Sequence, residues 1–213
     1  MEFIDEKIIE YAIQNSSEES DLLKKLRKET HQKILNPRML SSIIQGRLLS
    51  LVSKLIKPTN ILEIGTYTGY GTLCLSEGLS EIGKIHTIEI NEELINFQNQ
   101  FFGQSDKAKQ IIQYNGNAIT VIENIDEEFD IIFLDADKSN YINYMDLMIP
   151  KLKKGGVLIS DNVLWSGKVL KNATEEDYDT KALQKFNSIL KNKVDLETVL
   201  LPIRDGLSLS RKI

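Results

Sequence analysis

The sequence predicts an α/β fold: a mainly parallel seven-stranded sheet with one antiparallel strand, helices on both faces, and a helical cap at the N-terminus. Three observations lead there. The first 57 residues carry apolar positions at helical spacing. From Asn60 the rhythm changes to short apolar runs alternating with helical segments, the mark of right-handed βαβ crossovers. Finally, two runs flank Arg204-Asp205-Gly206, where an Asp-Gly turn leaves no room for a crossover helix, so the last strand should run antiparallel to its neighbour.

The elements follow in chain order. In the cap, Leu40, Ile43, Ile44, Leu48, Leu51, Val52 and Leu55 predict a helix bounded by Pro37 and Pro58. Before it, Lys24, Lys25, Arg27 and Lys28 alternate with Glu18, Glu19, Asp21 and Glu29, the pattern of a solvated helix face. Strands are predicted at 61–65, 85–90, 110–114, 129–135 and 157–161, with the closing pair at 194–203 and 207–213. Residues 1–213 read as one domain, with the cap at 1–57 and the α/β core at 58–213.

Composition narrows the function classes. A hydrophobic share of 41% and a charged share of 27% belong to an ordinary globular chain. The net charge of −5 argues against bulk neutralisation of nucleic-acid phosphates. Cys74 is the single cysteine, in an apolar helical pattern, and fits a small core residue in a reducing cytoplasm. The start Met1-Glu2-Phe3-Ile4-Asp5-Glu6 is acidic and unlike a secretory leader, and no run resembles a membrane span of roughly 18 apolar residues. The expected setting is cytoplasmic, without a membrane partner.

Asp135 ends the run Ile131-Ile132-Phe133-Leu134, and Asp161-Asn162 ends Val157-Leu158-Ile159-Ser160. Ligands of open parallel sheets sit outside the carboxyl ends of the strands, so these residues can meet in one crevice. Two carboxylates and an amide oxygen are hard donors, suited to Mg²⁺, Mn²⁺ or Ca²⁺ rather than zinc. Asp and Asn also punctuate loops for purely conformational reasons. His31 and His86 lie outside this group and are not expected to be ligands.

The first strand runs into Glu63-Ile64-Gly65-Thr66-Tyr67-Thr68-Gly69-Tyr70-Gly71. The spacing is G-x-x-x-G, with Tyr67 where a dinucleotide loop has its second glycine, which argues against a pyrophosphate cradle. Glu89 ends the second strand, 24 residues beyond Gly65. An acid there can accept both hydroxyls of a ribose, or simply meet solvent.

With these residues in view, the chain resembles the class I S-adenosylmethionine-dependent methyltransferases. Within them it is similar to the metal-dependent O-methyltransferases that act on catechol and caffeoyl-CoA, and to their small bacterial relatives. The matching segments are NPRMLSSIIQG (36–46), ILEIGTYTGYGTLCLSEGL (61–79), IHTIEIN (85–91), FDIIFLDADKSNYINY (129–144), GGVLISDNVLWSGKV (155–169) and IRDGLSLSRK (203–212). The resemblance implies a Rossmann-like methyltransferase fold and S-adenosylmethionine bound by Met39, Ser41, Glu63, Gly65, Thr66, Gly71, Glu89, Ala118 and Asp135. It implies a divalent cation on Asp135, Asp161 and Asn162, Mg²⁺ foremost, and Lys138 as general base. Gly71 stands where relatives often carry Ser, so one side-chain contact to the cofactor's amino-acid end is missing or replaced by backbone. Trp165 either walls the substrate site or packs over it, and Tyr141 is read as structural.

The resemblance implies methyl transfer to an oxygen of a small hydroxylated aromatic, catechol-like, and a homodimer paired through the N-terminal helices. Hydroxyuridine in tRNA is an alternative acceptor, with Arg27, Lys28 and Arg38 as a local basic rim. An NAD-dependent dehydrogenase would share the sheet and Glu89 but lacks its phosphate loop and hydride-transfer residue. A non-catalytic nucleotide-binding module would need neither Lys138 nor the metal trio.

Overall fold

The computed structural model describes residues 4–213. Met1, Glu2 and Phe3, part of the acidic start, lie outside the described residues. Among the described residues the α-helices are α1 (Glu6–Gln14), α2 (Asp21–Lys33), α3 (Ile43–Ile56), α4 (Tyr70–Ser76), α5 (Ile95–Phe102), α6 (Ala118–Glu123), α7 (Tyr141–Lys151) and α8 (Tyr178–Asn192). The strands are β1 (Asn60–Ile64), β2 (Lys84–Glu89), β3 (Ile111–Asn115), β4 (Phe129–Leu134), β5 (Leu152–Asp161), β6 (Leu196–Leu201) and β7 (Leu207–Lys212).

All seven strands form one sheet in the order β3-β2-β1-β4-β5-β7-β6. The first five pair in parallel, while β7 runs antiparallel to both β5 and β6. This is the mainly parallel seven-stranded sheet with one antiparallel strand anticipated from the sequence. Strand order reverses between β1 and β4, and in such sheets the reversal opens a crevice above the strand ends. The two central strands are apolar on both faces, as a sheet covered by helices on each side requires: Ile61, Leu62, Ile131 and Ile132 are fully buried.

Local sequence sets the helix starts. Ser20 and Ser42 accept hydrogen bonds from the Leu23 and Gln45 amides and so cap α2 and α3. The cap shares a core with the sheet, since Leu23, Leu26, Leu40 and Leu49 pack in one cluster with Ile61, Tyr70, Leu73 and Phe133. α1 differs from the other cap helices: none of its residues is buried.

The buried face of α3 is not its leucine-rich one. Gln45, Gly46, Leu49, Ser50 and Ser53 are buried, whereas Leu51 and Leu55 are 56% and 76% exposed. Close approach to α4 and the turn after it explains the choice of small residues. Ser53 Oγ donates to the Leu75 carbonyl at 2.6 Å, and a Cβ on Gly78 would fall 2.2 Å from the Ser53 carbonyl carbon. Pro37–Ile56 is apolar enough over 20 residues to resemble a span. Its α-helix covers only Ile43–Ile56, about 21 Å at 1.5 Å per residue and short of the roughly 30 Å hydrocarbon core of a bilayer. Arg47 on that helix pairs with Glu77 at 2.8 Å.

The basic stretch of α2 is only partly a solvated face. Lys24 pairs with exposed Glu18, but Arg27 reaches Glu19 at 2.7 Å. Glu19 is itself buried and accepts from Tyr70 Oη at 2.8 Å, so this pair ties α2 to α4.

Candidate active site

A crevice of about 1550 Å³ opens over the carboxyl ends of β1, β2 and β4. Its lining includes Met39, Gly65, Glu89, Ala118, Asp135, Lys138, Asn162 and Trp165. Eight of the residues singled out from the sequence thus share one cavity. α1 forms an apolar wall of the same crevice through Ile8, Ile9, Ala12 and Ile13.

The β1–α4 loop builds one end. Gly65 has φ +99°, and a Cβ there would lie 1.9 Å from the Asp135 carbonyl oxygen, so only glycine permits β1 and β4 to exit side by side. Tyr67 also takes a left-handed conformation, φ +49°. Its amide donates to Glu89 Oε2 at 2.7 Å, and the Asn91 amide donates to Glu89 Oε1 at 2.9 Å. Each carboxylate oxygen of Glu89 is therefore fixed by one backbone donor and keeps capacity to accept another hydrogen bond.

Glu63 lies elsewhere. Its side chain is 1% exposed and turns beneath the loop, where Thr87 Oγ1 donates at 2.6 Å and Thr72 Oγ1 donates as well. Burial pushes its carboxyl up to about 8, against the pull of the two threonines. Gly71 sits over this carboxyl: a Cβ would meet Glu63 Oε1 at 2.6 Å. Neither Glu63 nor Gly71 lines the crevice, and Ser41 and Thr66 are buried beside it rather than in its wall.

At the other end, the ends of β4 and β5 converge. Lys138 Nζ donates to Asp135 Oδ1 at 3.1 Å, to the Ala136 carbonyl at 2.8 Å and to Tyr141 Oη at 2.9 Å. Tyr141 is fully buried and donates to the Asp161 carbonyl at 2.9 Å, so a residue read as structural also links Lys138 to the strand end. Asp161 is 1% exposed. Its oxygens accept from Gln45 Nε2 and from the Asn162 amide, each at 2.7 Å. Burial raises the Asp161 carboxyl above its ordinary range, and the charge of Asp135 adds to that.

Asn162 adopts φ +57°, which turns its side chain toward Asp205, where Nδ2 donates to Oδ2 at 3.5 Å. Among the described residues no group of three or more His, Cys, Asp or Glu is placed to hold a metal. The trio at the strand ends is two carboxylates and an amide, and the mutual repulsion of Asp135 and Asp161 fits a bound cation.

Trp165 both lines the crevice and packs against the core, with its Nε1 buried and without a protein partner. His86 is buried against Tyr114, 3.0 Å from Nδ1 to Oη, and belongs to no part of this site. Three contributors escaped the sequence: Gln45, Arg204 and Asp205. Gln45 carried a usable signal, being a lone amide within an apolar helical run, because a buried amide must find partners.

A family model described as O-methyltransferase matches residues 13–213. The chain belongs to that family. Its similarity extends to curated relatives. Caffeoyl-CoA O-methyltransferase of Stellaria longipes is 30% identical, covering 98% of this chain and 91% of that one. The enzyme of the same name from Zinnia elegans is 35% identical over 90% of this chain and 82% of its own. Among solved structures, the Bacillus cereus O-methyltransferase in complex with SAH superposes with a TM-score of 0.89 at 26% identity, covering 97% of each chain. The O-methyltransferase described here is therefore S-adenosylmethionine-dependent and of the caffeoyl-CoA O-methyltransferase type.

Proposed function

We propose that this O-methyltransferase methylates a hydroxyl of a small aromatic with vicinal hydroxyls, aided by a divalent cation, Mg²⁺ foremost. The observation that carries the reading is the convergence of Asp135, Asn162 and Lys138 at one end of a crevice whose other end holds Glu89, with the buried carboxylate of Asp161 behind that end rather than in the wall. Glu89, with both oxygens steadied by backbone amides, takes the cofactor's ribose. Ala118 lies beside the adenine, and Gly65, Thr66, Met39 and Ser41 shape the sulfur end. Glu63 and Gly71 act from beneath the loop, setting its conformation.

Asp135, Asp161 and Asn162 would hold the cation, which supplies a positive charge that favours the ionised hydroxyl. Lys138 receives the hydroxyl proton at Nζ in its neutral amine form, which gives up one of its three hydrogen bonds to free a lone pair, and Tyr141 Oη and the Ala136 carbonyl fix where that nitrogen sits. The acceptor oxygen then bonds to the methyl carbon as the sulfur–carbon bond breaks, releasing SAH. Trp165 and the apolar side of α1 exclude water and position the ring. The same reading places the enzyme in the cytoplasm as a single domain, in keeping with its one buried thiol. It also takes two copies to pair through the cap, where Leu51 and Leu55 stand exposed.

An acceptor screen with labelled S-adenosylmethionine, with and without a chelator, tests the reading. Label should pass to a diphenol, stop on chelation and return with Mg²⁺. Full transfer after rigorous chelation would remove the cation from the scheme, and transfer to no diphenol would remove the acceptor class.

A further inference from the structure

Arg204 is set in a conformation that favours glycine. It has φ +52°, in the turn closed by the Gly206 amide on the Ile203 carbonyl at 2.9 Å. The turn is pinned to the loop after β5, because the Leu164 amide donates to the Asp205 carbonyl at 2.9 Å and a Cβ on Gly206 would strike Leu164. A bulky cationic residue thus occupies a strained, well-fixed position on the crevice wall.

Its guanidinium has neutral partners. Nη2 donates to the Arg38 carbonyl at 2.6 Å and Nη1 to Gln45 Oε1 at 3.4 Å. Arg38 also lines the crevice, and neither arginine takes part in an ion pair among the described residues. The adjacent Asp205 is engaged otherwise, accepting from the Ser166 amide and from Asn162 Nδ2. A guanidinium carries five donors, so Arg204 retains three beyond those two contacts.

The other end of the Gln45 amide donates to Asp161 Oδ2 at 2.7 Å. Arg204 therefore stands one side-chain amide away from the strand-end carboxylates. That spacing suits an aromatic ring with hydroxyls at one edge and an acidic group at the other. We propose that Arg204, with Arg38 beside it, forms an anion subsite that selects acceptors bearing a carboxylate or phosphate. The inference rests on the placement of acceptor hydroxyls at Asp135, Asp161 and Asn162 given under Proposed function.

Calorimetric titration of the enzyme saturated with SAH and Mg²⁺ tests it, using catechol, 3,4-dihydroxybenzoate and coenzyme A as probes. The wild type should bind 3,4-dihydroxybenzoate roughly 10-fold or more tighter than catechol, the scale of one charge-assisted contact, and Arg204→Gly should erase that margin. Glycine suits the backbone there, so the turn survives, and Arg204→Lys should restore part of the margin. Loss of affinity for coenzyme A alone keeps the subsite and assigns it to a phosphate-bearing thioester. Equal binding of the two diphenols by the wild type with coenzyme A affinity unchanged in Arg204→Gly, or equal weakening of every probe in Arg204→Gly, overturns the proposal and leaves Arg204 as a clasp on the cap. Methylation of either diphenol, followed separately, tests the underlying acceptor reading, because the binding margin is measured without turnover.

Discussion

Gly71 lies directly over the carboxyl of Glu63, so close that a Cβ would sit 2.6 Å from Oε1 and 3.3 Å from Phe133 Cε1. Helix propensity alone favours replacing this glycine, since it falls inside α4 and Ala is better there by about 1 kcal/mol. Overpacking should win instead. Gly71→Ala is expected to destabilise by roughly 1–3 kcal/mol in urea unfolding, and less in a Glu63→Ala background. A stabilised single mutant would show that the Glu63 side chain yields freely.

The same carboxyl sets a pH dependence. Its folded value, about 8, exceeds the ordinary 4.5, so between those limits the unfolded chain is ionised while the folded one holds its proton. Stability is then greatest below pH 4.5 and falls as pH rises toward 8, by at most about 1.4 kcal/mol per pH unit. Glu63→Gln removes this term. The stability of the mutant relative to wild type, measured without cofactor at pH 5, 6.5 and 8, should climb with pH, and a constant difference would contradict the assignment.

Glu89→Ala should weaken SAH binding by about 1–3 kcal/mol, the value of charge-assisted hydrogen bonds to a hydroxyl pair. The loop should survive the change, because Gln98 Nε2 still donates to the Tyr67 carbonyl at 2.6 Å. Calorimetry with SAH reads the effect directly. Unchanged affinity would move the ribose to another part of the crevice.

Replacing Lys138 by Met keeps the length of the side chain and removes the proton acceptor. Turnover of a diphenol should drop by roughly two to four powers of ten with SAH affinity little altered. Turnover near that of wild type would reduce Lys138 to a strut between Asp135 and Tyr141.

The parallel strands, the turn at Asp205-Gly206 and the carboxylates at the ends of β4 and β5 were legible because they rest on local patterns: apolar runs, turn residues, polar residues at strand ends. The family resemblance added residue roles that spacing could not supply. What stayed hidden depends on contacts distant in sequence. Nothing local tells that Gln45 meets Asp161, that Arg204 reaches Arg38, or that α3 turns Gly46 and Ser53 inward while Leu51 and Leu55 face out. Glu63 shows the same limit from the other side. The resemblance implies a cofactor contact for it, but nothing local tells that Thr72 and Thr87 donate to its carboxylate below the loop, where Thr66 in turn meets Thr87 at 2.5 Å.

Because α1 walls the crevice while fully burying none of its own residues, mutations in Ile9, Ala12 or Ile13 should cost the fold less than changes in the core while still reshaping that wall. Most positions around an active site answer to both demands at once, and changes there are filtered for stability before they are filtered for use. This helix meets the first filter only weakly. Acceptor preference can drift rapidly along it while the sheet, the strand-end carboxylates and the cofactor loop stay fixed, which makes α1 the natural segment to exchange when retuning the enzyme for a new acceptor.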